Sequence, residues 1–236
     1  MAYATVAEVV SDAAVLLGLT STEIADPYAS TDSNILLLLA ILKTAGKDLL
    51  RQYTWKQLEA EHTFSTVASQ DTYSLPADFA RHLDQTQWNR STTLPLVGPM
   101  ASQGWQRLKS SGVPSGAEYY FRTAGSTLRL YPVPGSVQTI ALEYVSTYWV
   151  QGSGSASRDK EWPTAANDTL WLDSQLLVHR LRMDFRQARG MESTAESLAY
   201  DEALSAARSA EPAPVLNLNR RSGPAAPSLP ATGWGS

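Results

Sequence analysis

The chain has 236 residues, 43% hydrophobic and 18% charged, with a formal net charge of −4 and no cysteine. These values exclude disulfide and thiolate chemistry and offer no overall positive field for nucleic acid. They leave enough chain for one sizeable domain or two small ones, with seven Trp and ten Tyr to fill a core or a partner interface.

The opening run, "MAYATVAEVVSDAAVLLGL", lacks the basic segment of a secretory signal. Thr5–Leu17 places Val6, Val9, Val10, Ala13, Leu16 and Leu17 at helical spacing, and Gly18 suits the end. After the loop "TSTEIADPYASTDS", a second helix is predicted over Asn34–Arg51, capped by Asp32, Ser33 or Asn34, with Leu38, Leu42, Ala45 and Leu49 on one face. Its apolar stretch Ile35–Lys43 is too short to span a bilayer, so a soluble protein without membrane insertion is expected. Gly46 weakens the helix centre but permits close backbone packing.

The period then shortens to two. "HTFSTVA", "DTYSL", a run around His82–Trp88, "EYYFR", "TLRLYPV" and "TIALEYV" read as short strands. Turns fall at Ala68–Asp71, Ala124–Ser126 and Pro132–Ser136, where Pro132 and Pro134 remove ladder donors. The connections are too short for crossover helices, which predicts a small antiparallel sheet or sandwich with Phe121, Leu128, Leu130, Ile140 and Leu142 inward. One short helix, Pro99–Leu108, falls within this region.

The polar stretch "QGSGSASRDKEWP" reads as a mobile loop. Helical spacing resumes over Thr169–Arg189, capped by Asn167 or Asp168, striped by Leu170, Leu177, Leu181, Phe185 and Ala188, and ended by Gly190. A weaker helix follows at Thr194–Ser209. Beyond Glu211 the pattern stops; this extended tail is expected to be disordered when free, with Val215, Leu216 and Leu218 able to dock on a neighbour. The fold class is therefore α+β: a helical bundle of discontinuous segments (1–58 and 166–210), an inserted small antiparallel β domain (59–150), a flexible connection (151–165) and a tail (211–236).

Catalytic patterns are thin. Asp71, Asp78 and Asp84 invite a carboxylate-pair reading, but Asp71 sits at a turn and Asp78 suits local bonding to the backbone of "LPADF". Glu59 and Glu61 read as solvated groups at a strand start. His62, His82 and His179 have no local metal-ligand spacing. Ser153, Ser155 and Ser157 lack a nucleophile-elbow motif, and "GSGSAS" is not a phosphate loop. No catalytic, cofactor-binding or metal residue is assigned, and no cofactor is implied. Arg180, Arg182, Arg186 and Arg189, with Arg220 and Arg221, are ordinary surface charges in one subunit; repeated around a ring they would form a positive band.

The ordered features have a parallel. The amino-terminal helical pair, "YTWKQLEAEHTFSTVASQDTYSLPADFARHLDQTQW", "LVGPMASQGWQRL", "YYFRTAGSTLRLYPVPG" with "ALEYVSTYWV", and "NDTLWLDSQLLVHRLRMDFRQARG" together resemble the head-to-tail adaptors of short-tailed bacteriophages, the tail tubular protein A or tail accessory proteins. The resemblance spans most of residues 5–205. It implies a non-enzymatic ring, commonly a homododecamer, at the virion head–tail junction after assembly in the host cytoplasm. It further implies contacts with the portal protein, with the tail nozzle or tail tubular protein B and with tail fibres, and non-specific passage of double-stranded DNA. Leu38, Leu42, Leu177 and Leu181 would then serve helical packing within the ring, and Trp55, Phe64, Tyr73, Phe79, Trp88, Tyr131 and Tyr144 would organise the inserted β part. Two other readings stay open: a β-domain glycan- or protein-binding tail module, favoured by exposure of Trp105, Trp149 or Trp162, and a carboxylate-dependent hydrolase using Asp71 or Asp78.

Overall fold

The computed structural model describes residues 3–112 and 118–209. The expectations for residues 211–236 lie outside the described residues. The described fold is α+β, with helices and three small antiparallel sheets.

Helix α1 (Val6–Leu16) is preceded by the two-residue strand β1 (Ala4–Thr5). Thr5 and Glu8 cap it reciprocally: the Glu8 amide donates to Thr5 Oγ1 and the Thr5 amide to Glu8 Oε2. Helix α2 (Ser33–Gln52) starts at Asp32, whose carboxylate accepts from the Asn34 amide. Ile35, Leu38, Leu42, Ala45 and Leu49 turn inward at the predicted spacing.

The strand region yields two facing sheets. In the first, β9 (Thr139–Ser146) is central, with β2 (Glu59–Ser65) along one side. Its other side is shared by β4 (Phe79–His82) and β5 (Trp88–Asn89), and β6 (Leu94–Pro95) pairs with β5. The second sheet has the order β3 (Thr72–Ser74), β8 (Thr127–Tyr131), β7 (Tyr120–Ala124). Residues Ile140, Leu142 and Tyr144 of β9 alternate onto one face and meet Phe121, Leu128, Leu130 and Tyr73 in the β core. Val145, on the opposite face, enters the helical core.

The expected strand at His82–Trp88 is instead two strands. β4 begins at Phe79 and bulges between Phe79 and Arg81; residues 83–87 then form a connection, in which the Gln87 side chain and the Thr86 hydroxyl both donate to the Leu83 carbonyl. Helix α3 (Ser102–Ser110) starts and ends slightly later than Pro99–Leu108 and buries Trp105.

The third sheet was not foreseen. It pairs β1 with β11 (Thr169–Leu170), and β11 with β10 (Val150–Gln151). Helix α4 (Ser174–Ala188) therefore begins five residues later than Thr169, capped by Asp173 through the Leu176 amide. Thr169 and Leu170 are extended because β1 and β10 supply ladder partners that no local pattern announces. Gly190 ends the helix with φ +66°, and α5 (Thr194–Ser209) packs back on α4.

α1, α2 and α5 all pack on α4. Leu38, Leu42, Leu177 and Leu181 are fully buried in this single-subunit core. The apolar stripes of α2 and α4 face each other within one chain, so these leucines are not a lateral surface between copies. Trp55 also belongs to this core, donating its indole N–H to the Leu49 carbonyl, and so is a helical rather than a β-part residue. No helix among the described residues is long and apolar enough to cross a membrane.

Candidate functional site

Pro76 ends the extended run of β3, the Phe79 amide closes a turn onto the Pro76 carbonyl at 3.1 Å, and Asp78 is left facing β9. Its carboxylate does not bond the local backbone. It accepts from the Tyr144 hydroxyl at 2.9 and 3.1 Å and from the Ser146 hydroxyl, and the Thr147 amide donates to its backbone carbonyl at 2.7 Å. Burial, with Asp78 beside it, pushes the Tyr144 phenol well above its ordinary value, so it stays a donor. The cluster is a cross-strand clamp. Asp71 accepts from its neighbour Thr72, and Asp84 is exposed. The three carboxylates do not converge.

The strongest polar centre lies elsewhere. Asp168, fully buried, takes Lys160 Nζ at 2.8 Å and the amides of Thr164 and Ala165 at 2.8 and 3.0 Å. Burial alone would raise its pKa, but Lys160 and the two amides outweigh that and hold the carboxyl below the ordinary range. Asp159 similarly accepts from the Gly152 amide and the Ser155 hydroxyl. The 151–165 connection, expected to be mobile, is thus tied at both ends. Its composition is permissive, but the buried carboxylate that orders it comes from Asp168, beyond its own sequence window. Asp168 is a loop anchor, not the expected helix cap. Ser155 serves this tie and Ser153 donates its amide towards Asp168 at 3.4 Å; neither stands beside a histidine base.

The three histidines sit apart. Burial lowers the pKa of His62 and His82, and burial with the nearby Arg182 lowers that of His179. No group of three or more His, Asp or Glu able to hold a metal occurs among the described residues.

The α4 arginines are engaged within the subunit. Arg180 bonds Asp184 at 2.7 Å and lies 3.7 Å from Asp48. Arg182 and Arg186 converge on the buried Glu196 at 3.5 and 3.1 Å, and Arg189 donates to the Asn34 side chain. On α2, Lys43 and Lys47 flank the Trp162 ring, each 4.6 Å from its centre, and Lys47 also pairs with Glu161 at 3.2 Å.

Of the tryptophans named for a ligand platform, Trp105 and Trp149 are buried, and only Trp162 is partly exposed. Trp88 was expected to organise the β part, yet it is 44% exposed. It lines a groove of about 500 Å³ with Glu61, Gln85, Arg90 and Glu143 on the outer face of the first sheet. Its pairing with Ala141 puts it on the face opposite Ile140 and Leu142; register decides this, and sequence did not fix register. Exposed apolar side chains also mark the helical part: Val15, Leu16 and Leu36, and Met191 and Leu198 about the α4–α5 turn. Such residues gain only by being covered.

No curated protein matches the chain. The SU10 adaptor protein family model, however, matches residues 4–227, nearly the whole length and both halves of the helical core with the β insertion between them. That agrees with the resemblance to phage head-to-tail adaptors. The chain belongs to the SU10 adaptor protein family.

Proposed function

We propose that this adaptor is a structural virion protein that forms a closed homododecameric ring between the portal protein and the tail nozzle. Its ring lines the conduit through which double-stranded DNA leaves the head, without reading bases and without catalysing a reaction. Assembly takes place in the host cytoplasm, and tail-fibre contacts fall on the projecting β part. The observation that carries this reading is the family match over residues 4–227.

Two features of the surface support it. Exposed apolar residues on α1, on α2 and about the α4–α5 turn offer surface that a contact between copies would cover. Asp78, Asp159 and Asp168 are engaged in ties within the subunit, as suits a structural role. Native mass measurement and particle imaging of the purified chain, alone and with its portal protein, test the proposal. A closed ring seated on the portal is expected; a monomer in both samples overturns it.

The Trp88 groove favours a second reading, in which the β part also binds a glycan or a protein of the tail. An exposed ring flanked by Gln85 and Arg90 suits stacking with polar contacts at its margin. A titration that quenches Trp fluorescence in the native chain but not in Trp88→Phe would support it, and equal quenching in both would remove it.

A further inference from the structure

Helices α1 and α2 turn surfaces of opposite character to solvent. On α1, Glu8, Asp12, Val15 and Leu16 are exposed and share one face. They line a groove of about 570 Å³ between α1 and the start of α4, with Glu23 and Val178 also at its wall. Every charged residue of that lining is acidic. On α2, the side away from the buried Leu38, Leu42, Ala45 and Leu49 carries Leu36, Ala40, Lys43, Lys47 and Arg51 at helical spacing. The cleft at its basic end, where Lys47 and Arg51 meet β4 and β9, shares no residue with the α1 groove. One subunit thus offers two separate surfaces, as a head-to-tail contact needs.

Part of this charge is already met within the subunit. Glu8 accepts from the Thr5 amide, Lys43 and Lys47 lie over Trp162, and Asp48 is turned to Arg180 on α4. Lys47 pairs with Glu161, but both side chains stay about a third exposed or more, and such pairs contribute little. With Glu161 counted, the α2 face still sets Lys43, Lys47 and Arg51 against one carboxylate. The side chains of Asp12, Glu23 and Arg51 have no partner among the described residues.

We infer that the α1 groove of one copy takes the outer face of α2 from the next copy, with the two helices antiparallel. The spacing fits residue for residue. Read from its start, α1 presents Glu8, then Asp12, then Val15; read from its end, α2 presents Lys47, then Lys43, then Ala40. Asp12 opposite Lys43 therefore sets Glu8 opposite Lys47 and Val15 opposite Ala40, and brings Leu36 to the apolar end of the groove. A parallel packing would instead put Leu36 and Ala40 against carboxylates. The small Ala40 lets the axes approach to the usual distance of about 8–10 Å. Covering Val15, Leu16 and Leu36 supplies the drive, and the charges select the face. Two α1 grooves, or two α2 faces, would bring like charges together, so the contact joins unlike surfaces and propagates from copy to copy. This inference rests on the ring reading and names the surfaces that close the ring.

Charge exchange in the full chain tests it, read by native mass measurement alone and with the portal protein. Asp12→Lys and Lys43→Glu each set like charges across the contact and should weaken ring formation about tenfold or more. Asp12→Lys/Lys43→Glu restores opposite charges and should return it to near the native level. Both positions are exposed, and a urea midpoint close to that of the native chain shows that each variant is folded. Unchanged ring formation in the single variants, or no recovery in the double one, overturns the inference and leaves the ring reading in place. A native chain that is monomeric in both samples overturns both. The absence of cysteine permits a second readout. Mild oxidation of Val15→Cys/Ala40→Cys should join chains in series, whereas neither single-cysteine variant should be joined. Closure within one chain, or no closure, overturns the inference.

Discussion

Gly46, in the middle of α2, lies against the indole of Trp149, and a Cβ added at that position would overlap the ring. The indole has little room to retreat: it is fully buried and its N–H donates to the Glu161 carbonyl. The close approach locks α2 to the strand region that leads out of β9.

Gly46→Ala should therefore destabilise the protein by about 2 kcal/mol, the cost of overpacking a fixed core. Helix propensity alone predicts the opposite, a gain of up to about 1 kcal/mol. Urea unfolding decides between them, and a midpoint equal to or above that of the native chain would rule out the packing account.

Asp168→Asn should cost about 3 kcal/mol, because it leaves Lys160 beside a buried group that no longer carries charge. The pH dependence has a definite sign. The folded carboxyl is held below its unfolded value near 3.9. Its contribution is thus fully present above about pH 4 and is lost as pH falls through the lower folded value. The variant should show a shallower loss of stability on the acid side. Parallel acid titrations of the two proteins would refute this if the slopes coincide.

Arg81 reaches from β4 to the end of α2, donating to the carbonyls of Leu50 and Tyr53 at 3.3 and 2.8 Å and to Thr54 Oγ1 at 2.8 Å. These are the orphan acceptors of a helix terminus, in the place where a cation is favoured. Arg81→Met should cost about 1–2 kcal/mol and speed amide exchange in the last turn of α2 more than in its first. Uniform exchange along the helix would count against the capping role.

Asp78→Ala distinguishes clamp from catalyst. Removing the acceptor shared by Tyr144 and Ser146 should lower stability by about 2 kcal/mol, read as a lower urea midpoint. A folded, equally stable variant that lost a hydrolytic activity of the native protein would revive the carboxylate reading.

The parts of the fold written at short range were legible. α1 and α2 carry an apolar period with their own terminal signals, and Pro132 stops β8 at Tyr131. Where the structure departs, long-range partners decide. Thr169 and Leu170 have helical neighbours in sequence, but β1 and β10 claim them as a strand. Asp168 looks like any cap residue until Lys160 and the 164–165 amides close around it. Asp78 suits a local turn, yet its acceptors' donors lie 66 and 68 residues away on β9. Trp88 is an ordinary core candidate by composition; only its register against Ala141 turns it outward. The family resemblance rested on the order of elements, and so survived these local errors.

β9 gives Tyr144 to one core and the next residue, Val145, to the other. The β insertion is therefore not a detachable bead. A fragment cut at its sequence limits would carry Val145 and Trp149 away as bare apolar surface and leave the helices hollow where they had been. A load on the sheets would pass along β9 directly into the helices, because neighbouring residues of that one strand are gripped by both cores.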